Sequence, residues 1–398
     1  GVALGMRQGR IVGAERVEVE AYKVYTGDGT GVTELIAGSS SGSQLGLATV
    51  QADNDAFVAA VDPIALKDQL DTGTAGFHLR PGVEVRNPVE TDLAGNAVVN
   101  SGDITLSADW NLNPLRHGGE AGVLTVRAGG TLDLAASLSD GFSSAAASGV
   151  LQPSPVSWSY RLVAGADGAA ADPLATRHDA PSAALNLAAD KLVRTGSGDM
   201  ALAAAGDVVL GSGAAVYTAG YNTPAVSDFT ITGLSGYVFP TGGGDVHIRT
   251  GGSVISEAGP SGLLTDWLYR QGNTGTTSGV LFRDPGWWPQ IAQFKNGVAA
   301  LGGGDVDIEA GDRVANLLAA TVTNALQPAT VNQAVDTSLQ VIQGGGDLSV
   351  RASGDIEGGL LYVDRGVGRI DTDGAVTAGL ARVDQPVGAV LALGDASA

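Results

Sequence analysis

Along most of the chain, apolar and polar residues alternate in short runs that end at glycine. In Val246-His-Ile-Arg-Thr250, Val306-Asp-Ile-Glu-Ala310 and Leu348-Ser-Val-Arg-Ala352, every second residue falls on one face. That is the pattern of a half-buried strand. Each run follows a Gly-Gly-Gly-Asp turn, at 242–245, 302–305 and 344–347. Beyond a second turn, eight positions after the first apolar residue, comes another: Val246 and Val254, Val306 and Val314, Leu348 and Ile356. The same offset joins Leu124 to Leu132 and Asp199 to Asp207. Self-similarity punctuated by turns predicts a repeat architecture.

Further period-two runs lie at 17–21, 77–88 and 102–112. Stacked on copies of themselves at about 4.8 Å per coil, such strands form ladders of inward Val, Leu, Ile and Ala. The predicted fold is all-β, a right-handed parallel β-helix running as a single solenoid over residues 1–398. A propeller fits less well, because its periodic aromatic signatures are missing. At roughly 20 residues per coil, the spacings of the Gly-Gly-Gly-Asp copies read as three coils and then two. Glycine supplies positive φ at each corner and Asp bonds neighbouring backbone there. Gly244, Asp245, Gly304, Asp305, Gly346 and Asp347 are thus expected to form a structural turn ladder.

Three stretches break the pattern and read as insertions: about 38–75, 143–195 and 259–299. The first predicts a helix over 50–71, capped by Asp53 or Asn54, with Phe57, Val58, Val61, Leu66 and Leu70 on one face around Pro63. The third holds Trp267, Tyr269, Phe282, Trp287, Trp288 and Phe294, with a short helix expected between Pro289 and Val298. Exposed, Trp267, Tyr269, Trp287 and Trp288 stack on sugar rings or dock a partner, with Arg270 placed to pair with an acidic sugar. Buried, the same rings cover one face of the solenoid.

Composition narrows the chemistry. A net charge of −20, with 4 Lys among 22 basic residues, disfavours nucleic acid and anionic membranes. The chain has no Cys, so neither a disulfide nor a thiolate metal site is available. It begins Gly-Val-Ala, which reads as an interior or processed piece of a longer protein. The four His (78, 117, 178 and 247) lack zinc spacing, and no Walker lysine follows a glycine-rich turn. Neither a catalytic residue nor a metal ligand is assigned, and no cofactor is expected. Weak Ca²⁺ binding by Asp305, Asp307 and Glu309 is the alternative to plain solvation.

Several blocks resemble the filamentous haemagglutinin-like family of very large bacterial exoproteins exported by two-partner secretion. They are Leu79-Arg-Pro-Gly-Val-Glu-Val85, Gly102-Asp-Ile-Thr-Leu with Asp109-Trp110-Asn-Leu, Gly122-Val-Leu-Thr-Val-Arg-Ala-Gly-Gly, Leu138-Ser-Asp-Gly-Phe142, Ser157-Trp-Ser-Tyr-Arg-Leu162, Trp267-Leu-Tyr-Arg-Gln-Gly272 and the Gly-Gly-Gly-Asp copies. The resemblance implies a β-helical filament, secreted or held on the outer cell surface. The Asn-Pro-Asn-Leu and Asn-Pro-Asn-Gly-Ile strings of that family's secretion domain are missing, so the chain reads as shaft or a region towards the far end. The outer-membrane transporter is then a partner through a region outside this chain.

The function expected is a structural and adhesive segment of such an exoprotein. Its partners are a glycan or protein receptor on a host or bacterial surface, and further copies in a filament. The alternatives are a carbohydrate-active β-helix enzyme, lyase or hydrolase, and a stalk delivering a C-terminal toxin in contact-dependent inhibition.

Overall fold

The period-two runs pair side by side, every pair parallel, into three long sheets. The computed structural model describes residues 17–27, 31–60, 76–90, 94, 98, 101–116, 119–222, 239–259, 262–273, 283–326, 340–382, 385–387 and 390–393. Sheet I holds nine strands, from Val17–Tyr25 through Val246–Thr250, Val306–Ala310 and Leu348–Ala352 to Gly368–Thr372. Sheet II holds ten, ending at Val376–Thr377, and sheet III eight, from Trp110–Asn111 to Val390–Leu393. From Phe77 onward the chain visits sheets I, II and III in that order on every circuit.

Register explains the core. Leu124, Tyr160, Met200, Val246, Val306 and Leu348 stand in one column of sheet I, and Val126, Leu162, Leu202, Ile248, Ile308 and Val350 in the next. All are buried. Each such side chain contributes about 1.5–3 kcal/mol by leaving water. The eight-residue offset is the step across one corner: Leu132, Leu185, Val208, Val254, Val314 and Ile356 form the first core column of sheet II.

Several readings of the sequence change. The long spacings are single circuits, not three coils and two: Val246 pairs directly with Val306, and Val306 with Leu348. The unit is nonetheless short, since Leu348 pairs with Gly368. The added length is side structure between sheets. The stretch 143–195 likewise holds a whole circuit, with Ser159–Ala164, Leu185–Leu187 and Leu192–Thr195 in sheets I, II and III. The first helix spans Leu47–Ala60. Asp53 and Asn54 are therefore within it rather than at its cap, and residues 61–71 of the expected helix lie outside the described residues. Between Pro289 and Val298 only a 3-10 turn forms, Ile291–Gln293, and a single helical turn, Leu264–Trp267, precedes the tryptophan pair.

Candidate functional site

The Gly-Gly-Gly-Asp corners stack. Asp245 donates its backbone N–H to the Asp199 carboxylate at 3.0 Å, Asp305 to Asp245 at 2.8 Å, Asp347 to Asp305 at 2.7 Å, and Val367 to Asp347 at 2.8 Å. Each carboxylate thus meets a donor of the next circuit. Glycine precedes each Asp because nothing larger fits: a Cβ on Gly346 would lie 2.0 Å from the Gly304 carbonyl oxygen, and one on Gly304 2.3 Å from that of Gly244. Gly304 also has φ +108°, a left-handed backbone that favours glycine. A second column follows at the next corner, where Asp103, Asp207 and Asp355 accept from Thr131, Ser253 and Ala375.

The outer face of sheet I is charged and wet. Arg249, Glu309, Arg351 and Asp371 alternate in sign up one column, at 3.0, 3.4 and 3.6 Å. Asp307 stands 4.0 Å from His247. Glu309 therefore sits between two guanidiniums. Among the described residues, no group of three or more His, Asp or Glu is placed to hold a metal ion.

The outer face of sheet III is apolar and covered. Strands Ala215–Thr218, Gly297–Ala300 and Leu318–Thr321 are buried throughout, so period-two alternation disappears from them. Tyr217 packs edge-on against Phe142 and Phe294, and Phe294 against Trp267, with ring centroids 6.2, 5.5 and 5.0 Å apart. Inside this layer lies Arg194. Its guanidinium is 3.9 Å from the Phe142 ring centroid and donates to the Ser139 hydroxyl, the Tyr217 hydroxyl and the carbonyls of Ser144 and Ala146. Asp140, fully buried, accepts two bonds at 2.9 Å from Arg116 and the Trp158 N–H at 2.6 Å. Desolvation pushes its carboxyl up, against the pull of Arg116 and the Trp158 N–H.

Beside this layer, strands Leu268–Asn273, Arg283–Pro289, Thr323–Leu326 and Val341–Gly344 form a four-stranded antiparallel platform. Trp288 faces Tyr269 across its first pair, and Trp287 faces Arg270. Trp287 donates its indole N–H to the Thr323 hydroxyl at 2.8 Å, and that hydroxyl bonds the buried Asp364. Next to Asp364 lies the Tyr362 phenol, pushed up to about 12 by burial and then by the Asp364 charge, with Arg270 opposing.

The structure brings the five aromatic-insertion residues together but sorts them. Trp267 is 0% exposed and Trp288 is buried against Phe239, so both rings serve as cover and are withdrawn from any recognition surface. Trp287 is half-buried; Tyr269, at 39% exposure, and Arg270 face solvent. These two, with Leu264, Thr265 and Leu268, line an open depression of about 470 Å³. It offers a ring face and a guanidinium, which suits a sugar ring bearing an acidic group. Phe282 lies outside the described residues. Reading the sequence alone misses Arg194, Asp140, Tyr362 and Asp364. A signal existed for one: Asp140 sits in the Leu138-Ser-Asp-Gly-Phe142 block. Comparison with protein-family models, with curated proteins and with solved structures finds no match to the chain.

Proposed function

We propose that the chain is a right-handed parallel β-helix serving as a structural and adhesive segment of a secreted bacterial exoprotein. The observation that carries this reading is the division of labour between faces. Three parallel sheets and two stacked corners make a stiff acidic shaft, and side structure on sheet III holds Tyr269 and Arg270 out to solvent. Its task is display at the outer cell surface, with an acidic glycan as ligand of the 470 Å³ depression.

Binding of the purified chain to an array of acidic and neutral glycans tests the proposal. The expected result is retention on uronate- or sialate-bearing glycans that falls at least tenfold in the paired variant Tyr269→Ala, Arg270→Ala, with unchanged circular dichroism. Equal binding by that variant sinks the site. Release of new reducing ends or unsaturated sugars from the bound glycans would replace the adhesive reading by a carbohydrate-active enzyme.

A further inference from the structure

One outward column of sheet I changes character along its length. Where it holds Arg249, Glu309, Arg351 and Asp371, each guanidinium meets a carboxylate of a neighbouring circuit. Followed the other way, the same column reads Ala203, Val163, Arg127 and Arg86. Ala203 and Val163 are buried with Ala166, which begins the side structure after strand Ser159–Ala164. Arg127 and Arg86 then stand directly opposite each other on strands Val123–Ala128 and Phe77–Asn87. Like charges in that relation repel.

Glu84 holds the two together. Its Oε1 accepts from Arg86 Nε at 2.6 Å and from Arg127 Nη1 at 3.2 Å. Arg127 is 5% exposed, and its Nη2 donates to the carbonyls of Asp167 and Ala170. Its buried Nε–H has no acceptor among the described residues. A buried donor on a cation is costly to leave unpaired. Arg127 also lines a cavity of about 450 Å³, together with Arg86 and Arg177, and with Pro88, Val89 and Ala166 as an apolar wall. Backbone bonds bring Arg177 there: its N–H donates to the Gly165 carbonyl at 2.8 Å, and Thr176 bridges to Ala166. Among the described residues no carboxylate lines this cavity, although the chain has 42 Asp and Glu against 22 Lys and Arg.

We propose that this cavity is a binding site for a small organic acid with an apolar body. The carboxylate accepts from Arg127 Nε and from the Nη groups that Arg86 and Arg177 do not give to Glu84 and Asp179. The body rests on Pro88, Val89 and Ala166. The volume is that of a small-molecule pocket, and few convergent polar groups on an apolar wall are its usual make-up. An inorganic oxyanion would satisfy the guanidiniums and leave the wall uncovered. The site is separate from the depression at Tyr269 and Arg270, and neither reading rests on the other.

Benzoate is the probe, compared with acetate, benzyl alcohol and sulfate. In calorimetry on the whole chain, benzoate is expected to bind at least about tenfold more tightly than any of the three. Its affinity should fall at least about tenfold in Arg177→Gln and in Arg86→Gln, with unchanged circular dichroism. The paired variant Tyr269→Ala, Arg270→Ala should bind it as the unmodified chain does. In arginine side-chain NMR spectra, benzoate should shift one Nε–H signal that Arg127→Lys lacks; the two Gln variants carry the test alone if Arg127→Lys does not fold. Absence of benzoate binding overturns the proposal, as does an affinity that survives both Gln variants. Sulfate or benzyl alcohol binding as tightly as benzoate overturns it too, the first by making the wall irrelevant and the second the charge.

Discussion

Sheets I and III are built from the same circuits and face the same core, yet their outer sides have opposite characters. Strand Val246–Thr250 of sheet I alternates buried and exposed residues, with His247 and Arg249 in water. Strand Ala215–Thr218 of sheet III is buried throughout, because Tyr217 lies under Phe142 and Phe294. One face is finished by charge, the other by extra chain. What the outward residues are therefore decides where side structure can anchor, and the candidate site stands beside the apolar face.

The largest effects should come from uncovering sheet III. Trp267→Ala is expected to cost about 3–5 kcal/mol by urea unfolding, since the cavity opens against Phe294. Asp140→Ala should cost a similar amount, about 3–5 kcal/mol, because it leaves the Arg116 guanidinium without its carboxylate partner. A loss below about 1 kcal/mol for either would mean that the cover is incidental to stability. Next comes a position shared by all faces, the corner. Gly346→Ala should cost about 1–3 kcal/mol through its clash with the Gly304 carbonyl, read as a lower urea midpoint.

A pH effect separates the faces further. The neutral Tyr362 phenol is favoured in the fold, so the stability it supports is complete below pH 10 and drains away as pH rises through about 12. Tyr362→Phe should flatten the fall of the urea midpoint over that window, and an unchanged slope would remove Tyr362 from the account. Smallest is Glu309→Gln on sheet I. It breaks two surface ion pairs and should cost at most about 1 kcal/mol, vanishing in high salt. The Trp267→Ala loss should persist at the same salt concentration.

The contrast also explains what was readable in the residues. Sheets I and II could be seen because their outward positions are polar, so Val306-Asp-Ile-Glu-Ala310 shows its period and the eight-residue step shows the corner. Sheet III has no such text: Gly297-Val-Ala-Ala300 and Leu318-Ala-Ala-Thr321 are apolar on both sides, like any short buried run. Without sheet III a circuit cannot be counted, and distance along the chain stands in for distance up the stack. That is why 60 residues from Asp245 to Asp305 read as three coils when they are one. The site was half visible. Aromatic density located the insertion, but Trp267 and Tyr269 are two residues apart with opposite exposure. What divides them is Phe294 from a later turn, which no local pattern announces.

The Asp columns carry one more consequence, about time. In each of these corner bonds the carboxylate belongs to the earlier circuit and the amide to the later one: Asp199 awaits Asp245, Asp245 awaits Asp305, and Asp347 awaits Val367. A chain that emerges N-terminus first, as in synthesis, has each acceptor in place before its donor arrives. Assembly then has a direction, in which every finished circuit is the template for the next.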